Sequence, residues 1–175
     1  MSSDALYEPP LMPHLLVEGL NRYNDEPCLY LGDKVASYRE VREQTSQLVQ
    51  ALQSKGLGKG SRIAIISANR PEVLSNIAAM QLNGCIGTPL HPLGSLDDHA
   101  YVLEAAEIDT LVFDAAVFAD LAAALKARVP GLKNLLGFGP NEVGDDYLAL
   151  AQSFSPQPLV APDVDAGDVA SVNFT

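Results

Sequence analysis

The chain has 175 residues, a formal net charge of −11 and a hydrophobic fraction of 47%. That length holds one domain, or one domain and part of another, with enough interior for a real core. The acidic balance argues against nucleic-acid binding, which favours basic faces, yet leaves room for a local phosphate site made of backbone amides. No apolar run approaches the roughly 18 residues of a membrane span. The N-terminus carries Asp4 and Glu8 where a secretory leader would be basic. Cys28 and Cys85 are the two cysteines, without CxxC or Cys/His ligand spacing, and read as buried apolar thiols of a reducing compartment. A soluble cytoplasmic protein is expected, with peripheral membrane contact left open.

Residues 1–12 read as a flexible lead-in. A first helix is expected from Pro13 to Tyr23, with Leu15, Leu16, Leu20 and Tyr23 on a rough apolar face. Cys28–Leu31 and Val35–Tyr38 flank Gly32-Asp33-Lys34 as a short hairpin. Ser37 with Glu40 forms a capping box, because hydroxyl and carboxylate can satisfy two orphan amides. The helix that follows carries Val41, Thr45, Leu48 and Leu52 on one stripe and ends at Gly56. Arg62–Ile66 is an apolar strand of the kind buried on both faces.

The alternation then continues. Pro71 opens a helix that runs through Ile77 and Met80 to Gly84. Cys85–Leu90 is a strand, and Ser95 with Asp98 caps a helix reaching about Ala106. Thr110–Phe113 is a strand, Phe118–Val129 a helix stopped by Pro130-Gly131, Asn134–Phe138 a strand, and a weaker helix lies near Tyr147–Phe154. Strands alternating with helices predict βαβ units: a three-layer, open, mostly parallel α/β sheet with helices on both faces. The expected division is an α/β subdomain over 13–154, a Pro/Asp linker over 155–168, and a terminal strand over 169–175, where Ala170, Val172 and Phe174 alternate with Ser171 and Asn173.

Several stretches invite a site. Gly56-Leu57-Gly58-Lys59-Gly60-Ser61 has the look of a phosphate loop, but it closes a helix and enters a strand, the reverse of a Walker loop; a cap plus turn is expected. Gly137-Phe138-Gly139 does leave a strand, but Glu142 stands where a dinucleotide fingerprint needs glycine. His14, His91 and His99 are scattered. His91 follows a strand, at the end where functional loops lie, and is read as a structural loop residue with a functional role as the other possibility. Asp97-Asp98-His99 sits in a helix first turn, where acids suit the dipole. No Ser/His/Asp set and no paired carboxylates stand out.

Four strings in order resemble the start of the adenylate-forming (AMP-binding) superfamily, which includes acyl-CoA synthetases, luciferases and peptide-synthetase adenylation domains. Val35-Ala36-Ser37-Tyr38-Arg39-Glu40-Val41 is similar to its "Leu-Thr-Tyr-x-Glu-Leu" motif. Gly60-Ser61-Arg62-Ile63-Ala64-Ile65, followed by Asn69-Arg70-Pro71-Glu72, resembles its "Gly-Asp-Arg-Val-Ala" and "Asn-x-Pro-Glu" motifs. Leu82-Asn83-Gly84-Cys85-Ile86-Gly87-Thr88-Pro89-Leu90-His91 resembles "Leu-x-Gly-Ala-x-x-x-Pro-Leu". Asp168 to Thr175 is similar to the strand before the signature phosphate loop. Ser61 stands where the family often has Asp, and Cys85 where it often has Ala. The Pro-Leu-His-Pro stretch and the helix after it are closest to bacterial fatty-acyl-CoA synthetases.

The resemblance implies the N-terminal part of an ATP-dependent acid–thiol ligase acting on fatty or other apolar acids. A carboxylate attacks the α-phosphate of ATP with Mg²⁺ present, and CoA then displaces AMP. It implies that the Thr175 hydroxyl touches ATP phosphates, and it places catalytic and metal-binding residues beyond this chain. The isolated chain is accordingly expected to be inactive, with an exposed apolar face that favours self-association. Other readings are a fatty-acid–AMP ligase or peptide-synthetase adenylation domain, and a non-catalytic standalone binding module of the same fold.

Overall fold

The computed structural model describes residues 10–174. Helix α1 spans Met12–Arg22, with proline in its first turn. Strands β1 (Pro27–Leu31) and β2 (Lys34–Ser37) form an antiparallel hairpin. Helix α2, Tyr38–Ser54, starts at the capping box: Ser37 Oγ accepts from the Glu40 amide, and the Glu40 carboxylate accepts from the Ser37 amide at 2.7 Å. It stops at Gly56, whose φ of +73° suits a residue without Cβ. There the amides of Gly56 and Leu57 donate back to the carbonyls of Gln53 and Leu52, which closes the last turn.

Strand β3 (Arg62–Ile66), helix α3 (Pro71–Leu82), strand β4 (Ile86–Pro89), helix α4 (Leu96–Ala105), strand β5 (Thr110–Phe113), helix α5 (Ala115–Arg128) and strand β6 (Asn134–Gly137) then alternate. A two-residue β7 (Asp145–Asp146) and helix α6 (Tyr147–Gln152) follow. The sheet order is β4-β3-β5-β6-β7, with every neighbouring pair parallel. The expected open α/β sheet is therefore present.

The two sides of the sheet separate along β3. Ile63 and Ile65 pack with Leu48 and Leu52 of α2, Met80 of α3 and Tyr147 of α6. Ala64 and Ile66 pack with Leu103 of α4 and Leu125 of α5. This is the alternation a strand imposes, and both sets are apolar because helices cover both faces. A smaller cluster of Leu20, Val41, Leu82 and Leu159 seats α1 and a distant loop on the outside of α2 and α3.

Three details differ from expectation. Helix α5 begins at Ala115, because Asp114 caps it by accepting from the Ala116 amide; the expected start, Phe118, lies at a kink with φ −119° and ψ 15°. Strand β7 was not anticipated, since two aspartates carry no strand pattern. Over 169–174 the chain makes a single parallel bridge, Ser171 with Gly87, in place of a full strand. The Gly87 amide donates to Ala170 O at 3.0 Å and the Val172 amide to Gly87 O at 2.9 Å. The next β4 residue facing outward is Pro89, which has no N–H to continue the ladder.

Residues 155–168 contain no helix or strand, yet they lie against the domain. Gln47 and Gln50 donate to the carbonyls of Phe154 and Ser155, and the Gln157 amide donates to Ser46 Oγ at 2.7 Å. Leu159 is buried in the third cluster.

Candidate functional site at the carboxyl edge of the sheet

After β3 the chain crosses to β4 on one side, and it later returns to place β5 on the other side of β3. The switch point thus falls between β3 and β5, and in open α/β sheets ligands bind outside the carboxyl ends of the strands at such a point. Arg70, following β3, and Asp114, following β5, meet there.

The Arg70 guanidinium donates to Asp114 at 3.1 Å and to both carboxylate oxygens of Glu72 at 3.0 and 3.2 Å. It also donates to Phe138 O and lies 5.3 Å from the Phe138 ring centroid. Hydrogen bonds from Arg70 hold the Glu72 carboxyl below its ordinary range, and the same contacts push the Arg70 pKa up. Arg70 is thus a bidentate strut between the β3, β5 and β6 ends, already committed to two carboxylates.

The sequence candidates distribute as follows. His91 is exposed, and its Nδ1 accepts from the Leu93 amide, closing the turn after β4. His99 is buried beneath Gly94, its Nε2 has no partner among the described residues, and burial lowers its pKa, which keeps the ring neutral. His14, on α1, lies away from both in sequence and element. Asp98 caps α4 through Ser95, which lowers its pKa. The Gly56–Ser61 stretch forms the helix end and a turn, with Ser61 Oγ accepting from the Gly58 amide, at the amino end of β3 and so opposite the switch point. After β6, Asn141 fills the loop by accepting from the amides of Val143 and Gly144, in a cap-like turn unlike a cofactor cradle. Among the described residues no group of three or more His, Cys, Asp or Glu is placed to hold a metal ion.

Cys85 is buried and its pKa is pushed up to about 12, by desolvation first and by Asp109 second; Cys28 is half-buried and shifted up by desolvation. Neither has the electropositive setting of a reactive thiolate.

Thr175, the residue singled out for phosphate contact, lies outside the described residues. The last described residue, Phe174, stands edge-on to Tyr101 of α4 at 6.2 Å between ring centroids. Val172 packs on the cluster beneath α4 and α5. The chain therefore climbs the outer edge of β4 toward the same carboxyl edge where Arg70 and His91 lie. Sequence reasoning missed the roles of Asp114 and Tyr101. An acid immediately after a buried strand was a usable signal for the first, and nothing local marked the second.

A parallel sheet of this order, with its switch point at the carboxyl edge, places the chain among open α/β folds that bind ligands at that edge. Residues 16–175 match the AMP-binding enzyme family, and the chain belongs to it. It is 40% identical to the medium/long-chain-fatty-acid–CoA ligase of Mycobacterium tuberculosis over 180 aligned residues, which cover 99% of this chain and 32% of that protein. It is 26% identical to surfactin synthase subunit 1 of Bacillus subtilis over 62% of this chain and 3% of that protein. The crystal structure of the anthranilate CoA ligase AuaEII in complex with anthranoyl-AMP superimposes with a TM-score of 0.86 at 19% identity, covering 100% of this chain and 34% of that one. At that identity the likeness speaks for the fold. The chain spans about a third of the length of the fatty-acid ligase it matches.

Proposed function

We propose that this chain is the N-terminal part of an ATP-dependent acyl-CoA synthetase acting on fatty or other apolar acids. The observation that carries the reading is the course of residues 170–174 along β4 to the carboxyl edge, in a chain whose family match continues through residue 175. The 40% identity to a fatty-acid–CoA ligase supports the acyl-CoA branch.

In the reaction, a carboxylate oxygen attacks the α-phosphorus of ATP and pyrophosphate leaves. The CoA thiol then attacks the acyl carbon, loses its proton and releases AMP. Bound Mg²⁺ would offset phosphate charge in the first step. The described residues fit this scheme as scaffold. Arg70, the cation at the switch point, is spent on Glu72 and Asp114, and the phosphate contact is assigned to Thr175 on the strength of the family resemblance.

Within this reading, the expected lead-in over 1–12 gives way to α1 at Met12, and its residues 1–9 lie outside the described residues; 13–154 is the subdomain, 155–168 a linker and 169–175 the approach to the loop. The enzyme is cytoplasmic; no helix among the described residues is long and apolar enough to cross a membrane. Exposed Leu93, Tyr101 and Phe174 supply an apolar face through which the isolated chain self-associates.

ATP–pyrophosphate exchange with a fatty acid tests the proposal. The 175-residue chain should give none, and a family-length polypeptide carrying it should give exchange and, with CoA, a thioester. Failure of the longer polypeptide to exchange would overturn the proposal. The second reading, transfer to a carrier protein, draws on the similarity to surfactin synthase; acyl transfer to a carrier thiol without transfer to CoA would favour it.

A further inference from the structure

We infer that Lys59 is a positioning residue: it sets the register in which residues 169–174 run along β4, and so how far the chain reaches at the carboxyl edge. The inference rests on the functional reading above, because register matters to activity only if the loop after Phe174 handles phosphate.

Pairing at the β4 edge cannot set register by itself. It consists of two main-chain hydrogen bonds, both to Gly87, and Pro89 blocks the next. So short a ladder, with exposed side chains around it, specifies register weakly. The alternation of Ala170, Val172 and Phe174 excludes a slip by one residue and tolerates a slip by two, which displaces the chain by about 6.6 Å.

The opposite end of the segment is tied to the domain through an exposed lysine and a local turn. Lys59 Nζ donates to Asp163 O at 3.0 Å and pairs with the Asp168 carboxylate at 2.9 Å. That carboxylate also accepts from the Asp165 amide, and the Asp168 amide returns a bond to Asp165 O, closing a four-residue turn. Val164, inside the same turn region, rests against Gly84, where an added Cβ would come within 3.2 Å of Val164 Cγ1. Lys59 itself is fixed by the turn that leads into β3, where the Gly60 amide donates to Gly84 O. One ammonium thus ties a defined residue, Asp168, to the amino end of the sheet. From there, six residues at about 3.3 Å each carry the chain roughly 20 Å to Phe174, past a four-residue β4.

Amide hydrogen exchange on the 175-residue chain tests this. K59M should raise the exchange rate of the Val172 and Gly87 amides about fivefold, the upper range for an exposed pair, while Leu111 and Val112 in β5 stay unchanged as a folding control. K59R should retain protection. Unchanged Val172 and Gly87 protection in K59M would overturn the inference. In a family-length polypeptide carrying the chain, K59M should raise the KM for ATP several-fold with kcat nearly constant, and K59R should restore it. A KM that stays at the wild-type value would also overturn it. Absence of adenylation in the wild-type polypeptide would refute the functional reading instead, with the exchange result still deciding register.

Discussion

Replacing Gly84 by alanine, compared with the same change at Gly56, isolates the contact between the 163–168 turn and the domain. Both glycines terminate a helix with positive φ, +65° and +73°, so each substitution carries the cost of a left-handed alanine, about 1 kcal/mol. At Gly56 an added Cβ meets nothing within 4 Å. At Gly84 it meets Val164 Cγ1 at 3.2 Å and Lys59 Cα at 3.3 Å. The valine side chain can rotate away, whereas the Lys59 backbone is bound through Gly60 to the Gly84 carbonyl itself. Crowding of this kind adds about 1–2 kcal/mol, so G84A should lose about 2–3 kcal/mol and G56A about 1. For a chain of this size the difference corresponds to a Tm gap of about 3–6 °C. Thermal and urea melts followed by circular dichroism measure both. Equal destabilisation of the two variants would refute the reasoning.

R70M should destabilise by about 2 kcal/mol in urea melts, since it leaves the buried Asp114 carboxylate without its cation. Glu72 adds a pH signature: its pKa is lowered by Arg70, so its stabilising contribution is complete above the ordinary value of 4.5 and fades as pH falls through the lowered one. Melts between pH 6 and 3 should accordingly show a shallower acid loss in R70M than in wild type. Leu52→Ala removes a fully buried side chain from the α2–sheet contact, and equilibrium unfolding should register a loss of about 3 kcal/mol. A thiol reagent at pH 8 should label Cys28 in the folded protein and reach Cys85 only under denaturing conditions, as peptide mapping by mass spectrometry would show.

Features decided within one helical turn were legible in the sequence. Ser37 with Glu40, Ser95 with Asp98, and the glycines at 56 and 84 act through neighbours three to five residues away. The strand–helix alternation gave the layered sheet because each β3 residue faces one helical layer or the other. The position of the site at the carboxyl edge follows from that same alternation. What local pattern could not supply depends on contacts across the chain. Lys59 meets a carbonyl 104 residues away, and Arg70 joins Asp114 across 44. The terminal segment shows a correct alternation and still forms a single bridge, because Pro89, belonging to another strand, controls its ladder.

Pro89 has a further consequence for how copies of this protein meet one another. An open sheet offers two rows of unpaired amides and carbonyls, and such rows template polymerisation. On one side, β4 is four residues long, ends in proline and has its one outward glycine occupied by residues 170–172. On the other, β7 is two residues long and both are aspartates, which repel a like strand. Both borders of the five-stranded sheet are thereby poor templates for strand addition.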